Sequence, residues 1–482
     1  MAQEPNARLI SYPHPRANGG RHLKTGAEYL SSLRDGRSVY LQGTKVEDVT
    51  THPGLREAAE WVADGYDRFH SGEAGAFHPM YELPRSAEDL RRRMRVLEES
   101  DFTASTSAVG LALLTAAPSL AKADPVYALR AKDYFEHARA EDLRMAEVIT
   151  DAKGNRALPP SAQDDPDLYL RVVERSSEGL VVSGAKFHIT GGPVVHELVV
   201  MPTKRMKAGE GDYAVAFAVP ANAPGVTMIS TSYAPKGDDV RHYPVSGRFS
   251  MPEAMVVFDR VLVPWDRVFL DGEVAQSAVL AHSLGLWERL SGIADMAHLA
   301  DLLVGAAQLV AEYNGTAGIA HIREKIAEMA IYATMVRASL EAALTHSEET
   351  EDGMVFPSEL FTNAGKFYGA SEYHLMVRHL HDIAGASVIT APTMADFDNP
   401  DLNGYISKYL RTMEGVDAER RMRVFHLIRD LTADALGGWH QVANIQSGGG
   451  LFAQRLVAKN HYDIDHARGL AMEAAGIAKG GE

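Results

Sequence analysis

The 482-residue sequence contains no cysteine. This absence excludes disulfides, thiolate-bound metals, cysteine nucleophiles and cysteine-ligated iron–sulfur clusters. The sequence also lacks the G-x-S-x-G motif of serine hydrolases, the G-x-G-x-x-G motif of dinucleotide-binding folds and the H-E-x-x-H motif of zinc enzymes. We therefore predict no metal site, and we expect any nicotinamide chemistry to reside in another protein.

Positive charge is also scarce, because the formal net charge is -16. Such a chain repels nucleic acid and anionic membranes, so neither is an expected partner. The basic run Arg91, Arg92, Arg93 and Arg95 is predicted to be the solvated face of a helix. No stretch approaches the roughly 18 apolar residues of a membrane span. The segment Met1–Gly20 is polar and does not resemble a secretion signal, so we expect a cytoplasmic protein.

Hydrophobic periodicity predicts an α+β chain in three parts. Residues 1–150 form a mainly helical domain that carries a small hairpin at Val39–Gly43. Residues 151–275 form a barrel-like β domain, in which short β-patterned runs such as Gly179–Ser183 and Met255–Phe258 alternate with turn signals. Residues 276–482 form a helical bundle with a tail.

The bundle is predicted from a long apolar stripe with a spacing of three and four residues. Its members are Ile319, Ile322, Ile326, Met329, Ala333, Val336 and Leu340. Further helices are predicted at 281–313, 357–384, 404–414 and 416–438, with breaks at Asn314–Gly315 and Gly437–Gly438.

Eight ordered blocks resemble the 4-hydroxyphenylacetate 3-monooxygenase / 4-hydroxybutyryl-CoA dehydratase family of acyl-CoA-dehydrogenase-like flavoproteins. Together they cover most of the chain. They are Ser32–Tyr40 with Asp48–Pro53, Ala140–Leu143, Thr150–Arg156, Gly184–Gly192, Phe258–Trp265 with Val268–Phe269, Tyr313–Gly315, Asp382–Gly385 with Thr390–Pro392, and Asn444–Gly450 with Gln454–Arg455. We read Phe258–Trp265 as an edge strand that leads into a proline-fixed turn.

The resemblance implies a flavin-dependent monooxygenase of the two-component type. Such an enzyme hydroxylates an aromatic or unsaturated small molecule with reduced flavin from a separate reductase. The implied cofactor is FAD, oxidised or as FADH2, in preference to FMN, and the implied assembly is a homotetramer. The matching blocks assign flavin contacts to Asp151, Gly154, Arg156, Thr190, Gly191, Gly192, Gln446, Gly448, Gly449 and Arg455. Glycines permit close backbone approach, and an arginine can pair with a phosphate.

The sequence departs from the dehydratase branch of the family. That branch holds an iron–sulfur cluster with three cysteines and a histidine, followed by a lysine. Alignment on the blocks places Ala104, Ala108, Glu288 and Asp295 at the ligand positions and Met296 at the lysine position. Alanine cannot ligate a metal and methionine cannot act as a general acid, so the radical dehydration machinery is missing.

The sequence departs equally from the phenol hydroxylase branch. Ser107 and Leu111 stand where an arginine and a tyrosine anchor the phenol, and Glu147 replaces a histidine. We therefore predict a pocket rebuilt with carboxylates. Its predicted catalytic residues are Glu147, Glu288 and Asp295, and its predicted substrate-binding residues are Ser107, Leu111, Glu253 and Gly292.

Two other functions stay open at this point. One is a flavin enzyme that does not use oxygen, such as a lyase, isomerase or dehydrogenase with a carboxylate base. The other is a non-catalytic paralogue that only binds a ligand. For Glu288 and Asp295 there is also an ordinary explanation, in which they pair with Arg289 and cap a helical turn.

Overall fold

A computed structural model describes residues 23–73, 75–99 and 104–477. The segment Met1–Gly20 lies outside the described residues. The N-terminal helices are α1 (Gly26–Ser32), α2 (Arg56–Phe69), α3 (Ala87–Glu99), α4 (Ala104–Leu120) and α5 (Pro125–Ala140). The predicted hairpin is present as β1 (Val39–Leu41) and β2 (Thr44–Val46). Gln42 and Gly43 make its tight turn, since both have positive φ.

Two sheets form the centre of the molecule. The strands are β3 (Met145–Val148), β4 (Thr150–Asp151), β5 (Arg171–Arg175), β6 (Gly179–Thr190), β7 (Glu197–Val200), β8 (Val215–Pro220), β9 (Val226–Thr231), β10 (Glu253–Pro264) and β11 (Val268–Asp271). A large sheet has the order β2-β1-β9-β10-β6-β4, with β5 also paired to β6, and a smaller one has the order β11-β8-β7-β3. β10 lies between β9 and β6 only as far as Phe258, and from Val261 to Pro264 it pairs with β6 alone, as the edge strand predicted at Phe258–Trp265 requires.

The smaller sheet is buried on both faces, and its residues alternate between two cores. In β3, Ala146 and Val148 face the core shared with the large sheet. Met145 faces the second core, which is formed with α4, α5 and the C-terminal helices. Because side chains alternate along a strand, Glu147 points to the same side as Met145. The alternation of side chains along β3 therefore directs the Glu147 carboxyl toward the helices.

Three long helices build the C-terminal bundle: α7 (Ser277–Tyr313), α8 (Ala320–Thr345) and α9 (Glu359–Ala384). The predicted stripe lies on α8, where Ile322, Met329, Ala333, Val336 and Leu340 are buried. It packs into the core that also contains α4. The helix α7 is long and apolar enough, by length and composition, to cross a membrane. The prediction that no stretch approaches this limit was wrong, although the apolar residues of α7 pack in the bundle core.

Shorter elements complete the chain. They are α6 (Ser246–Phe249) in a loop of the β region, a small β12–β13 hairpin (Glu348–Glu349, Val355–Phe356), α10 (Ser387–Thr390), α11 (Met394–Asp398), α12 (Pro400–Leu410), α13 (Ala418–Thr432), α14 (Ala435–Gln446), α15 (Leu451–His461) and α16 (Ile464–Ala474). The sequence predicted a single helix over 416–438, ending at Gly437–Gly438. Instead the chain breaks after Thr432, and α14 continues through both glycines. A Cβ on Gly437 would lie 2.4 Å from the carbonyl carbon of Thr432, so the tight break requires glycine there.

Arg93 does not lie on a solvated face, as the sequence predicted. Its guanidinium is buried and donates to the carbonyl oxygens of Met80 and Glu82 and to the hydroxyl of Ser107. Arg91, Arg92 and Arg95 behave as predicted, because they form exposed ion pairs with carboxylates. Arg93 differs because its position on α3 faces α4 and the core instead of solvent.

A buried ion pair lies within the large sheet, and its lysine also reaches the smaller sheet. Lys186 on β6 donates to Asp151 Oδ1 at 2.8 Å, and both side chains are only 2% exposed. The same ammonium donates to the carbonyl oxygens of Ile149, which precedes β4, and Met201, which follows β7. All three of its hydrogens therefore have acceptors. This pair is costly to separate, because either partner alone would be a buried charge.

We predict that Asp151→Ala destabilises the protein by about 3–5 kcal/mol, because it leaves the Lys186 ammonium without a counter-charge. The double variant Asp151→Ala/Lys186→Met should recover most of that loss. Urea unfolding followed by circular dichroism measures both changes. Equal stabilities for the single and double variants would contradict a dominant role of the ion pair.

Candidate active site

Glu147 and Glu288 meet between β3 and α7. Glu147 accepts a long hydrogen bond from the Ser105 hydroxyl, with 3.4 Å between Ser105 Oγ and Glu147 Oε1. Burial, together with the charge of Glu288 and a hydrogen bond to it, raises the pKa of Glu147 well above its ordinary range. Glu288 also accepts from the hydroxyl of Ser447 at 2.7 Å. Two carboxyls in contact cannot both stay ionised, so the pair holds a proton.

A third carboxyl, Glu253, reaches the same place from the large sheet. It is the cross-strand partner of Thr190, whose hydroxyl donates to Glu253 Oε1 at 2.9 Å. The indole of Trp439 on α14 donates to the same oxygen at 3.0 Å. Burial raises the pKa of Glu253, and the charge of Glu288 adds to that rise. Three carboxyls from separate parts of the chain thus converge.

Lys366 on α9 brings an ammonium close to Glu288, and the sequence reasoning missed it. Its Nζ is buried and donates to the carbonyl oxygen of Asn444 at 2.7 Å. Burial lowers the pKa of Lys366 to about 8, against the opposing influence of Glu288 and Asp295. The side chain passes over Gly292, where a Cβ would lie 3.1 Å from Lys366 Cε. A lone lysine inside a predicted helix gives no sequence signal of such a role.

Arg289 anchors the glycine-rich loop against α7. Its guanidinium donates to the carbonyl oxygen of Gly448 at 2.8 Å and to Asn363 Oδ1 at 2.8 Å. Gly448 and Gly449 both have positive φ, and a Cβ on Gly448 would lie 2.9 Å from Arg289 Cγ. The glycines therefore allow this loop to close over the helix that carries Glu288.

The predicted flavin contacts of the large sheet lie near the end of β6. Gly191 is left-handed, with φ 71°, but its N–H already donates to the carbonyl oxygen of Pro252. The Gly191 N–H is therefore already used within the protein. Gly192 is buried against Ile189, Ala254 and Met228. The Thr190 hydroxyl is thus already bonded to Glu253, and the turn that follows Thr190 is tightly packed.

Two cations, Lys153 and Arg156, lie in the loop after β4, close to His188 on β6. Lys153 and His188 are non-glycine residues with positive φ, at 71° and 60°. The β6–β10 pairing is irregular beside His188, which marks a β-bulge of the kind found near active sites. Burial and the charges of Lys153 and Arg156 lower the pKa of His188. A concentration of positive charge on strained backbone is suited to a phosphate-bearing ligand.

Other predicted cofactor residues have different surroundings. The Asp151 carboxylate is occupied by Lys186. Gly154 is exposed and left-handed, and a Cβ there would lie 2.5 Å from Gln163 Oε1. Gln446 is exposed at the end of α14, and Arg455 lies 5.0 Å from the ring centre of Phe367.

The predicted substrate and catalytic residues separate into two groups. Glu147, Glu253 and Glu288 come together, and Gly292 lies one turn beyond Glu288 beneath Lys366. Ser107 accepts from Arg93, Leu111 is buried in the core, and Asp295 is exposed two turns along α7. The structure does not bring these last three into the carboxyl cluster.

The positions of the missing family ligands are filled by packing. Ala108 is buried in the core of α4. Met296 packs on Gly369 of α9, where a Cβ would lie 2.5 Å from the Met296 methyl group. Both side chains serve contacts between helices, so neither position retains a polar group for redox chemistry.

Comparison with known proteins finds similarity along most of the chain. The N-terminal model of 4-hydroxyphenylacetate 3-hydroxylase matches residues 25–270, and the C-terminal model matches residues 277–476. The 4-hydroxybutyryl-CoA dehydratase/vinylacetyl-CoA-Delta-isomerase of Clostridium aminobutyricum is 29% identical, over 94% of this chain and 100% of its own. The oxygenase component of 4-nitrophenol 2-monooxygenase from a Rhodococcus species is 30% identical, over 88% and 86%.

A solved structure is similar as well. It is the oxygenase component of 4-hydroxyphenylacetate 3-monooxygenase complexed with FAD. Its TM-score is 0.83 with 27% identity, and the match covers 94% of this chain and 99% of that one. The predicted order of helices, β structure and helical bundle is confirmed by this likeness.

The Glu147–Glu288 contact predicts a pH-dependent effect on stability. The folded protein holds the Glu147 proton more tightly than the unfolded chain does. This contribution is fully present below the ordinary carboxyl pKa and is lost as the pH rises through the folded-state pKa. Glu147→Gln should therefore gain stability relative to the parent protein as the pH rises from about 5, by at most about 1.4 kcal/mol per pH unit.

Urea unfolding at several pH values measures that difference. Glu348→Gln is the matched control, because Glu348 is an exposed carboxylate in β12. A pH-independent difference for Glu147→Gln would show that Glu147 is ionised in the folded protein.

Proposed function

This chain belongs to the 4-hydroxyphenylacetate 3-hydroxylase family, and from that membership we propose that it is the oxygenase component of a two-component flavin-dependent monooxygenase. It is an oxidoreductase that uses FAD, and a separate reductase supplies the reduced flavin. The substrate is an aromatic or otherwise unsaturated small molecule. The observation that carries this proposal is the proton-holding carboxyl cluster at the junction of the sheets and the bundle.

The residues present fit FAD. Lys153 and Arg156 offer positive charge for the pyrophosphate close to His188, and the Thr190 turn lies at the end of the strand that carries His188, β6. The buried atoms Glu147 Oε2 and Glu253 Oε2 have no hydrogen-bond partner among the described residues. A buried acceptor without a donor is costly, so such atoms point to a bound molecule that completes them. Bound reduced flavin would supply the activation of molecular oxygen.

The Glu147–Glu288 pair is proposed as the proton device. In hydroxylation, one oxygen atom of O₂ enters the substrate and the other leaves as water, with two electrons from reduced flavin and two protons. A carboxyl that keeps its proton near neutral pH can donate a hydrogen bond to the substrate or release the proton on demand. We assign this role to Glu147. Its contact with Glu288 raises its pKa.

Lys366 and Arg289 are proposed as positioning residues. Lys366 offsets the charge of Glu288 from the opposite helix, and Arg289 holds the loop of Gly448 in place. Both side chains are buried, so their charges act with little screening by water. Asp295, exposed on α7, is proposed as a further influence on the Lys366 ammonium.

A non-oxygenating lyase or isomerase is the second candidate, because one relative is a dehydratase and isomerase. A carboxyl pair is suited to proton abstraction as well as to proton donation. The oxygenase is favoured because Ala108 and Met296 leave none of the polar groups that the dehydratase branch uses at those positions. A paralogue that binds a ligand without catalysis is the third candidate, and it would not consume oxygen.

We also propose a cytoplasmic homotetramer. Large apolar side chains remain exposed on the last helices and on α12 of the single chain: Leu402, Tyr405, Tyr409, Phe452, Leu456, Ile464 and Leu470. Phe452 is 77% exposed. Exposed apolar groups in such number are typical of surfaces that are covered by other subunits.

Activity is tested by oxygen uptake with FAD, NADH and an added flavin reductase in the presence of a panel of phenols. We expect substrate-dependent oxygen uptake, with label from ¹⁸O₂ in the product. Glu147→Gln should lower kcat by about 100-fold or more, because it removes a proton donor and acceptor. Turnover without oxygen, or no incorporation of label, would favour the lyase or isomerase.

The assembly is tested by light scattering coupled to size exclusion. We expect a mass of four chains. Phe452→Glu should lower that mass, since it places a charge on an apolar contact surface. Arg468→Glu is the control, because Arg468 is an exposed residue in the neighbouring helix. A monomer at micromolar concentration would contradict the homotetramer.

A further inference from the structure

We propose that the substrate of this enzyme carries a protonated amine, which binds between the carboxyls of Glu147 and Glu253 and the rings of Tyr233 and Trp439. This inference rests on the proposed function and names the substrate class of the same site. The names of the relatives suggest recognition of a phenol group. In this proposal, specificity depends instead on the positive charge of the substrate.

The charges around the cluster favour a cation. Glu147, Glu253 and Glu288 converge: beside burial, the charges of Glu288 and Glu253 raise the pKa of Glu147, and the charge of Glu288 raises the pKa of Glu253. Two cations lie near them, Lys366 and Arg289, and both act on Glu288. Arg289 is committed to Gly448 and Asn363. Among the described residues, no ion pair is formed by Glu147 or Glu253.

The Glu147 and Glu253 carboxyls each have one oxygen without a donor among the described residues. Glu147 Oε2 and Glu253 Oε2 are both buried and lack a hydrogen-bond donor among the residues that the structure describes. Their partner oxygens, by contrast, are engaged by Ser105, Thr190 and Trp439. Glu253 is therefore fixed by one oxygen and leaves the other for a ligand, whereas Glu147 shares a proton with Glu288 and accepts from an ammonium once that proton is released. An ammonium has three hydrogens and fits two such acceptors with one to spare.

Aromatic rings flank the Glu253 carboxyl. Tyr233 and Trp439 have ring centres 6.0 Å apart with an angle of 49° between their planes. The Trp439 indole donates to Glu253, and burial together with the charge of Glu253 raises the pKa of Tyr233 to about 12. Aromatic faces attract organic cations, most strongly where a carboxylate lies beside them. An anion would meet carboxylates and ring faces, both of which repel it.

A matched set of phenols separates this proposal from the rest. Tyramine carries an ammonium, 4-ethylphenol is neutral and 4-hydroxyphenylacetate carries a carboxylate. Isothermal titration of the FAD-loaded protein under anaerobic conditions, without reductase, measures binding alone. We expect tyramine to bind at least about tenfold more tightly than 4-ethylphenol, and 4-hydroxyphenylacetate to bind most weakly.

Glu253→Gln and Glu147→Gln each replace a carboxyl with an amide that cannot ionise, and should bring the tyramine to 4-ethylphenol ratio close to one. Glu348→Gln, an exposed carboxylate in β12, should leave the ratio unchanged. Circular dichroism verifies that each variant is folded, and the Kd of 4-ethylphenol reports whether its pocket is intact. Because the comparison is a ratio, a general loss of affinity does not alter the outcome.

Two results would overturn the proposal. One is equal or tighter binding of 4-ethylphenol or 4-hydroxyphenylacetate to the parent protein. The other is a tyramine preference that persists in both glutamine variants. Oxygen uptake distinguishes failure of the oxygenase function from failure of the cation site. Tyramine binding without oxygen uptake would support the cation site and contradict the oxygenase. Oxygen uptake with 4-hydroxyphenylacetate alone would support the oxygenase and contradict the cation site.

Discussion

The contact between Glu147 and Glu288 is the constraint on which the site depends. Two carboxyls that touch in a buried place require a proton, a donor or a cation, and the surrounding residues supply each in part. The hydroxyls of Ser105 and Ser447 donate hydrogen bonds, and Lys366 supplies a positive charge from the facing helix. The fold makes this contact by directing one face of β3 toward α7. The other residues of the site either stabilise the proton of the Glu147–Glu288 pair or position it for the proposed reaction.

Two other buried charges in the sheets have counter-charges. Lys186 joins the two sheets through three acceptors, one of them Asp151. Glu197 on β7 is likewise paired with Arg267 at 2.6 Å. Against this background, buried oxygens without donors at Glu147 and Glu253 stand out as functional. Two of the buried acceptors without donors among the described residues, Glu147 Oε2 and Glu253 Oε2, thus belong to carboxyls of the same cluster.

Much of the fold and part of the site follow from the sequence. The stripe on α8 and the Gln42–Gly43 turn were predicted correctly, because period and turn chemistry are local. The break at Thr432 and the burial of Arg93 were not, because both depend on what packs against them. Lys366 was missed for the same reason: nothing near it in sequence marks a lysine that meets α7. Asp295 shares a helical face with Glu288, yet two turns of helix carry it to solvent.

The central claim is that a carboxyl of the Glu147–Glu288 pair keeps its proton near neutral pH. Infrared difference spectroscopy of the parent protein minus Glu147→Gln, both near neutral pH, measures it directly. The claim predicts a carbonyl stretching band of a protonated carboxylic acid that is present in the parent protein and absent in the variant. A difference spectrum with only the two bands of an ionised carboxylate would contradict it.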